Sequence, residues 1–170
     1  LAVGSAAGEL SSVRNDGSSA DGVSKGLELP QATGEINLGS EPEEVELVQR
    51  LQFGTAEDRA IAVSELMMDP LGFDAAYQIF TRDESPEVRL AVLELIESED
   101  YFVARQMVVS ALQDPNKQVV LYALGIIDSH GDFSLAPQVE ALTNHFDTEV
   151  VEYAKEVRES LTAGYFDSNE

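Results

Sequence analysis

Proton transfer near neutral pH, metal ligation and nucleophilic attack each draw on a few side-chain types, and this chain is poor in most of them. It carries two histidines, His130 and His145, and no cysteine. His130 precedes Gly131-Asp132 in a turn between helical patterns, and His145 precedes Phe146 near a helix end. Turn and cap roles account for both. The lack of cysteine removes disulfides, thiolate zinc, iron–sulfur clusters and cysteine nucleophiles. Carboxylates number 32, so a pair of them carries no information by itself. Asp83, Glu84 and Glu87 fall in a loop and a first helical turn, where capping and the helix dipole favour negative charge. Asp128 and Asp132 flank a glycine turn but lack the alternating oxygen ligands of a calcium loop, and Asn15, Asp16 and Asp21 are as loosely spaced. There is no glycine loop leading to Lys-Ser/Thr and no Gly-x-Ser-x-Gly elbow. The chain is read as a non-enzyme, with no catalytic, cofactor or metal residues.

Charge narrows the partners. With 32 acidic against 10 basic residues, the formal net charge is -22. Such a surface repels phosphate backbones and anionic headgroups, so neither nucleic acid nor lipid is an expected partner of the folded part. The acidity is either a general solubility adaptation or a means of steering a protein partner with a basic surface.

The elements that would position any site begin at Glu41. Residues 1–40 are rich in Gly, Ser, Ala, Asp and Asn, as in Asn15-Asp16-Gly17-Ser18-Ser19-Ala20-Asp21-Gly22, and lack sustained periodicity. They read as a disordered or extended tail, with Leu27 to Leu38 a piece that extends when laid on another surface. Residues 41–166 read as a helical repeat domain, and 167–170 as a disordered end. No run of about 18 apolar residues spans a bilayer. The small, mildly apolar opening Leu1 to Gly8 is compatible with a trimmed anchor segment, which leaves a membrane anchor outside this chain as one reading. Compartment is open, with a periplasmic or membrane-tethered setting weighed against a cytoplasmic one.

Within the domain the chain repeats itself. Glu57-Asp58-Arg59-Ala60-Ile61-Ala62-Val63 aligns with Glu87-Val88-Arg89-Leu90-Ala91-Val92-Leu93, then with Gln118 to Leu124 and Glu149 to Lys155. Taking Arg59, Arg89, Val120 and Val151 as equivalent gives steps of 30, 31 and 31 residues by subtraction. A unit of that length holds two helices with short links. Ser85-Pro86 and Asp114-Pro115 read as caps followed by proline at the first helical position, Thr55 with Asp58 as a capping box, and Asp147-Thr148 as the last cap. Second helices are expected over Phe73–Phe80, Phe102–Leu112 and Leu135–Leu142, with Asp69-Pro70-Leu71-Gly72 a breaker between helices. Val119 to Ile127 is apolar on nearly every side, as a helix flanked by protein requires. Val150, Ala154, Val157 and Leu161 form a single stripe, as befits a terminal cap.

These units resemble the HEAT-like repeats, especially the short bacterial type related to phycobilisome lyases. The likeness rests on Asp83-Glu84-Ser85-Pro86-Glu87-Val88-Arg89, Asp114-Pro115 through Val119, Ala123-Leu124-Gly125, and Gly131-Asp132 with Leu135-Ala136-Pro137 and Ala141-Leu142. It covers residues 55–163. It implies an all-α fold, an α-α superhelix of about three and a half to four helix pairs, and commonly protein binding. Val120 and Val151 depart from the family's usual Arg and weaken its inter-repeat polar ladder. The His-Glu pairs of iron-dependent hydroxylases built on such repeats are absent, and so is the basic concave surface of the DNA glycosylases. A bilin-lyase-like enzyme follows from fold analogy alone.

In such stacks the second helices line the concave face. Their non-core positions are Asp74, Gln78, Arg105, Gln106, Gln138 and Glu140, and all of these but Glu140, together with the aromatic Tyr101, are the expected protein-binding residues. Tyr77 and Phe102 are further aromatic candidates, with core packing as the competing explanation for all three aromatics. The expected function is a protein-interaction scaffold, the alternative a structural or accessory subunit of a larger assembly.

Overall fold

The structure, a computed structural model, describes residues 35–98 and 101–167. The expected tail lies outside the described residues up to position 34, as do the final residues 168–170. The described chain is helical throughout its regular structure, with no strand among the described residues. Eight α-helices follow in order: α1 (Pro42–Phe53), α2 (Ala56–Val63), α3 (Pro70–Arg82), α4 (Pro86–Glu97), α5 (Tyr101–Ala111), α6 (Lys117–His130), α7 (Ala136–Leu142) and α8 (Thr148–Asp167). A single 3-10 turn, Phe133–Leu135, leads into α7.

The packing follows the repeat. The first helices α2, α4, α6 and α8 lie side by side in a row, each against the next. The alternate helices lie on that row: α1 on α2, α3 on α4, α5 on both α4 and α6, and α7 on α8. This is the all-α solenoid that the period of about thirty residues requires. No pair of helices can shelter its apolar side alone, so each uses its neighbours. Val88, Val92, Leu93 and Ile96 of α4 interleave in one continuous core with Val119, Ala123, Leu124 and Ile127 of α6. In α6, Ile126 is buried as well, and the helix contacts α4, α5 and α8, as its all-round apolar sequence demands. In α8, Val150, Ala154, Val157 and Leu161 are buried while Glu152, Lys155, Glu156 and Glu159 are exposed.

Helix starts are chemically specified. Thr55 accepts from the Asp58 N–H at 3.1 Å while the Asp58 carboxylate accepts from the Thr55 N–H at 3.1 Å, the expected capping box. Three expectations need correction. Ser85 stands at the cap position of α4, but its side chain makes no capping bond and its hydroxyl donates instead to Glu87. Asp114 does not cap α6: that helix begins at Lys117, and Asn116 is its cap, accepting from the Gln118 N–H at 2.8 Å. A carboxylate two residues ahead of the cap is released for another task, described below. Asp69-Pro70-Leu71-Gly72 is not a breaker but a helix start, with Asp69 accepting from the Gly72 N–H at 2.9 Å. Glycine is required there because a Cβ on residue 72 would stand 1.7 Å from the Met67 carbonyl oxygen. Gly131 ends α6 in the left-handed region, φ 60°, its N–H returning to the Asp128 carbonyl. Ahead of α1, Ile36 and Leu38 have no regular structure and pack, partly buried, against the core.

Candidate functional site

Polar side chains tie the row together before any surface is left for a partner. Arg59 presents its guanidinium fork to Asp83, with Nε and Nη2 donating at 2.6 and 2.8 Å and Nη1 donating to the Gly54 carbonyl at 2.8 Å. Arg89 repeats the arrangement one unit on: two bonds to Asp114 at 2.7 and 2.8 Å, and a third to the Asp83 carbonyl at 2.8 Å. Each of these aspartates also accepts the N–H two residues ahead, that of Ser85 or Asn116. At the third step the sequence has Val120 where arginine stood and His145 where aspartate stood. His145 Nδ1 keeps the turn bond, accepting from the Asp147 N–H at 3.1 Å, and Val120 is buried. Both partners of the rung have been exchanged together, so neither charge is left alone in the interior. An exposed pairing one turn earlier, Lys117 to Glu149 at 2.6 Å and to Asp147 at 3.6 Å, stands in its place.

The expected binding residues divide. Tyr101 and Arg105, on α5, meet at Asp132: the Tyr101 hydroxyl and Arg105 Nε donate to one carboxylate oxygen, each at 2.7 Å. Ser134 donates to the other carboxylate oxygen through both its hydroxyl and its N–H. Burial works against the Asp132 charge, but the bonds from Ser134, Tyr101 and Arg105 outweigh it and hold this carboxyl below its ordinary range. The Tyr101 ring also stacks on His130, centroids 4.3 Å apart; this histidine is the exposed last residue of α6 and not part of the turn that follows. Gln106 and Gln138 are exposed on α5 and α7, and Asp74 is half-buried on α3. Gln78 is buried, 8 % exposed, in the wall of a cleft with Leu51, Phe53, Arg59 and Ile79, and its Oε1 accepts no hydrogen bond. The side chains of Asp74, Gln78, Gln106 and Gln138 are not joined to one another by any hydrogen bond. Of the aromatics, Tyr77 packs partly buried on the core, whereas Phe102 is exposed.

A second concavity, similar in volume to the cleft beside Gln78, lies on the other helices. Along α4, α6 and α8 runs a groove of about 480 Å³, lined by Leu90, Glu94 and Glu97, by Leu121, Tyr122, Gly125 and Ile126, and by Tyr153. Tyr122 and Tyr153 stand 31 residues apart by subtraction, the same position of successive units. The Tyr122 hydroxyl donates to Glu97 at 2.5 Å. Burial, and then that bond and the nearby acidic charge, raise the Tyr122 hydroxyl well above its ordinary value. Burial again comes first for Tyr153, followed by the charges of Asp128 and Glu156, and its hydroxyl is also raised. Both rings therefore stay neutral in a negative field. Helix position alone would have located these two tyrosines, since the repeat alignment puts them in register. They lie on first helices, outside the second-helix face expected to bind.

No helix among the described residues is long and apolar enough to cross a membrane. Comparison with family models, curated proteins and solved structures yields no match to this chain.

Proposed function

We propose that this chain is a HEAT-like protein-interaction scaffold whose contact surface is the groove along α4, α6 and α8. The supporting observation is the groove's composition. Apolar side chains of Leu90, Leu121 and Ile126 line it beside two tyrosines, and Glu94, Glu97 and Gln118 are exposed along it. An apolar and aromatic centre with a polar rim is the anatomy of protein interfaces. The HEAT-like assignment draws support from the two rungs Arg59–Asp83 and Arg89–Asp114, the inter-repeat ladder expected of that family. Photocrosslinking tests the scaffold reading. A benzophenone side chain at Gln118, expressed in the source cells, should yield a discrete adduct with one protein. The same group at Lys155 or Thr162, exposed on α8, should not. Adducts of equal yield from Gln118 and from these two positions, or none from the groove, would overturn the reading.

A second reading, as a subunit of a larger assembly, is favoured by the first end of the stack. Phe53 is 81 % and Met67 77 % exposed, and Ile61 and Val45 are also exposed. The outer face of α8 is polar by comparison. Apolar residues at one end of a solenoid suit a neighbouring subunit continuing the row.

A further inference from the structure

The groove's occupant can be narrowed from its walls, its floor and its charge. This step rests on the scaffold reading above. Gly125 sits within α6, where no backbone conformation calls for glycine: it does not lie in the left-handed region. Its surroundings differ from those of Gly72, where backbone crowds the Cβ position. A Cβ at 125 would meet one neighbour within 4 Å, the Tyr153 hydroxyl at 3.4 Å. The missing side chain thus leaves bare helix backbone in a depression beside Tyr153, with Leu121 and Ile126 close in the same lining.

Its electrostatics are one-sided. Among the described residues, Glu94, Glu97, Asp128 and Glu156 form no ion pair with any Lys or Arg, although Arg50, Arg59, Arg89, Arg105, Lys117 and Arg158 all do with other carboxylates. Glu97 spends one oxygen, Oε2, on the Tyr122 hydroxyl. Asp128 keeps its Oδ1 buried and without a hydrogen bond, and its charge is felt at Tyr153. Neutral tyrosine rings in such a field attract a cation to their faces. A lysine stem would suit the apolar lining, but a guanidinium is flat, stacks on aromatic rings and forks onto a carboxylate. The groove crosses three helices, which suits a length of polypeptide better than a lone small cation. Nucleic acid and anionic lipid are turned away by the same charge.

We infer that the groove along α4, α6 and α8 takes a basic segment of a protein partner, with an arginine side chain seated over Gly125 between Tyr122 and Tyr153 and facing Glu94 and Glu97.

The test uses the full chain and a fluorescently labelled peptide of alternating arginine and leucine, titrated by anisotropy at physiological salt. A second peptide carries citrulline, the neutral near-isostere, at each arginine. The arginine peptide should bind at least about 10-fold more tightly than the citrulline peptide. Glu94→Gln with Glu97→Gln should weaken it by about 10-fold or more, since rim carboxylates carry the attraction. Gly125→Leu should abolish binding by filling the depression, with helicity checked by circular dichroism. The rim pair keeps the inference testable should the leucine variant fail to fold. Neutralising two carboxylates elsewhere, Glu43→Gln with Glu57→Gln on α1 and α2, controls for the overall negative charge and should leave binding within about 2-fold. Equal binding of both peptides, or equal losses from the rim and control pairs, would overturn the inference. Groove crosslinks to a protein together with such a result would leave the scaffold standing and refute only the arginine. The lack of any groove crosslink would remove both.

Discussion

Replacing Arg89 by valine tests the ladder, and the chain itself supplies the design. Arg89 and Asp114 are 10 % and 6 % exposed in their side chains, and three hydrogen bonds of 2.7–2.8 Å leave the guanidinium for Asp114 and the Asp83 carbonyl. Removing one member of such a pair strands the other charge in the interior, at a cost of roughly 3–5 kcal/mol. Asp114 would keep its bond from the Asn116 N–H, so a value near the lower end, about 3 kcal/mol, is expected for Arg89→Val. Asp114→His alone should cost about as much by stranding the guanidinium. The double variant Arg89→Val with Asp114→His reproduces the Val120 and His145 of the next step, where imidazole Nδ1 takes over the turn bond. It should return to within about 1 kcal/mol of the parent, giving a coupling of several kcal/mol in the double-mutant cycle. Urea unfolding followed by far-UV circular dichroism, with linear extrapolation, measures all four proteins. Additive single effects, or an Arg89→Val cost below about 1 kcal/mol, would refute the reasoning. The exposed Arg50–Glu65 pair, 33 % and 48 % exposed, provides the contrast, and its loss should move the urea midpoint far less than the loss of Arg89.

The remaining expectations concern backbone, proton and cavity. Gly131→Ala places a side chain in the left-handed region with nothing within 4 Å, so it should cost about 1 kcal/mol, whereas Gly72→Ala must displace the Met67 carbonyl and should cost roughly 2 kcal/mol or more by the same unfolding assay. If the two cost the same, the close approach at Gly72 is not what its glycine serves. Asp132 has a folded pKa lowered from 3.8, so its contribution is present above that value and is lost as the pH falls through the lower folded one. The stability deficit of Asp132→Asn should therefore be full at about pH 6 and shrink in strongly acid solution; a deficit that grows on acidification would contradict the sign. Leu124→Ala, at a fully buried position of α6, should cost about 2–5 kcal/mol, and Phe146→Ala, 88 % exposed, less than about 0.5 kcal/mol in urea midpoints read the same way.

Much of the architecture could be read from local pattern, because a solenoid is assembled from contacts between neighbours in the chain. The stripe Val150, Ala154, Val157 and Leu161 marks the buried face of α8, and the all-round apolar run from Val119 to Ile127 marks a helix with protein on several sides. Both follow from period and composition, without long-range pairing. Helix starts were legible where the cap and its partner lie three residues apart, as with Thr55 and Asp58. At Asp114-Pro115 local pattern does not suffice, because a carboxylate before a proline looks the same whether it caps its own helix or receives an arginine from the previous unit. Only packing distinguishes the two, since the distance from Arg89 to Asp114 depends on how α4 lies beside α6. His145 and Val120 are the clearest case: in sequence they are two departures from a motif, and in space they are one exchanged pair. The groove was decided in three dimensions for the same reason. The 31-residue step between Tyr122 and Tyr153 was present in the sequence, but the depression at Gly125 between them exists only once α6 and α8 are side by side, where a missing side chain on one helix becomes room beside the other.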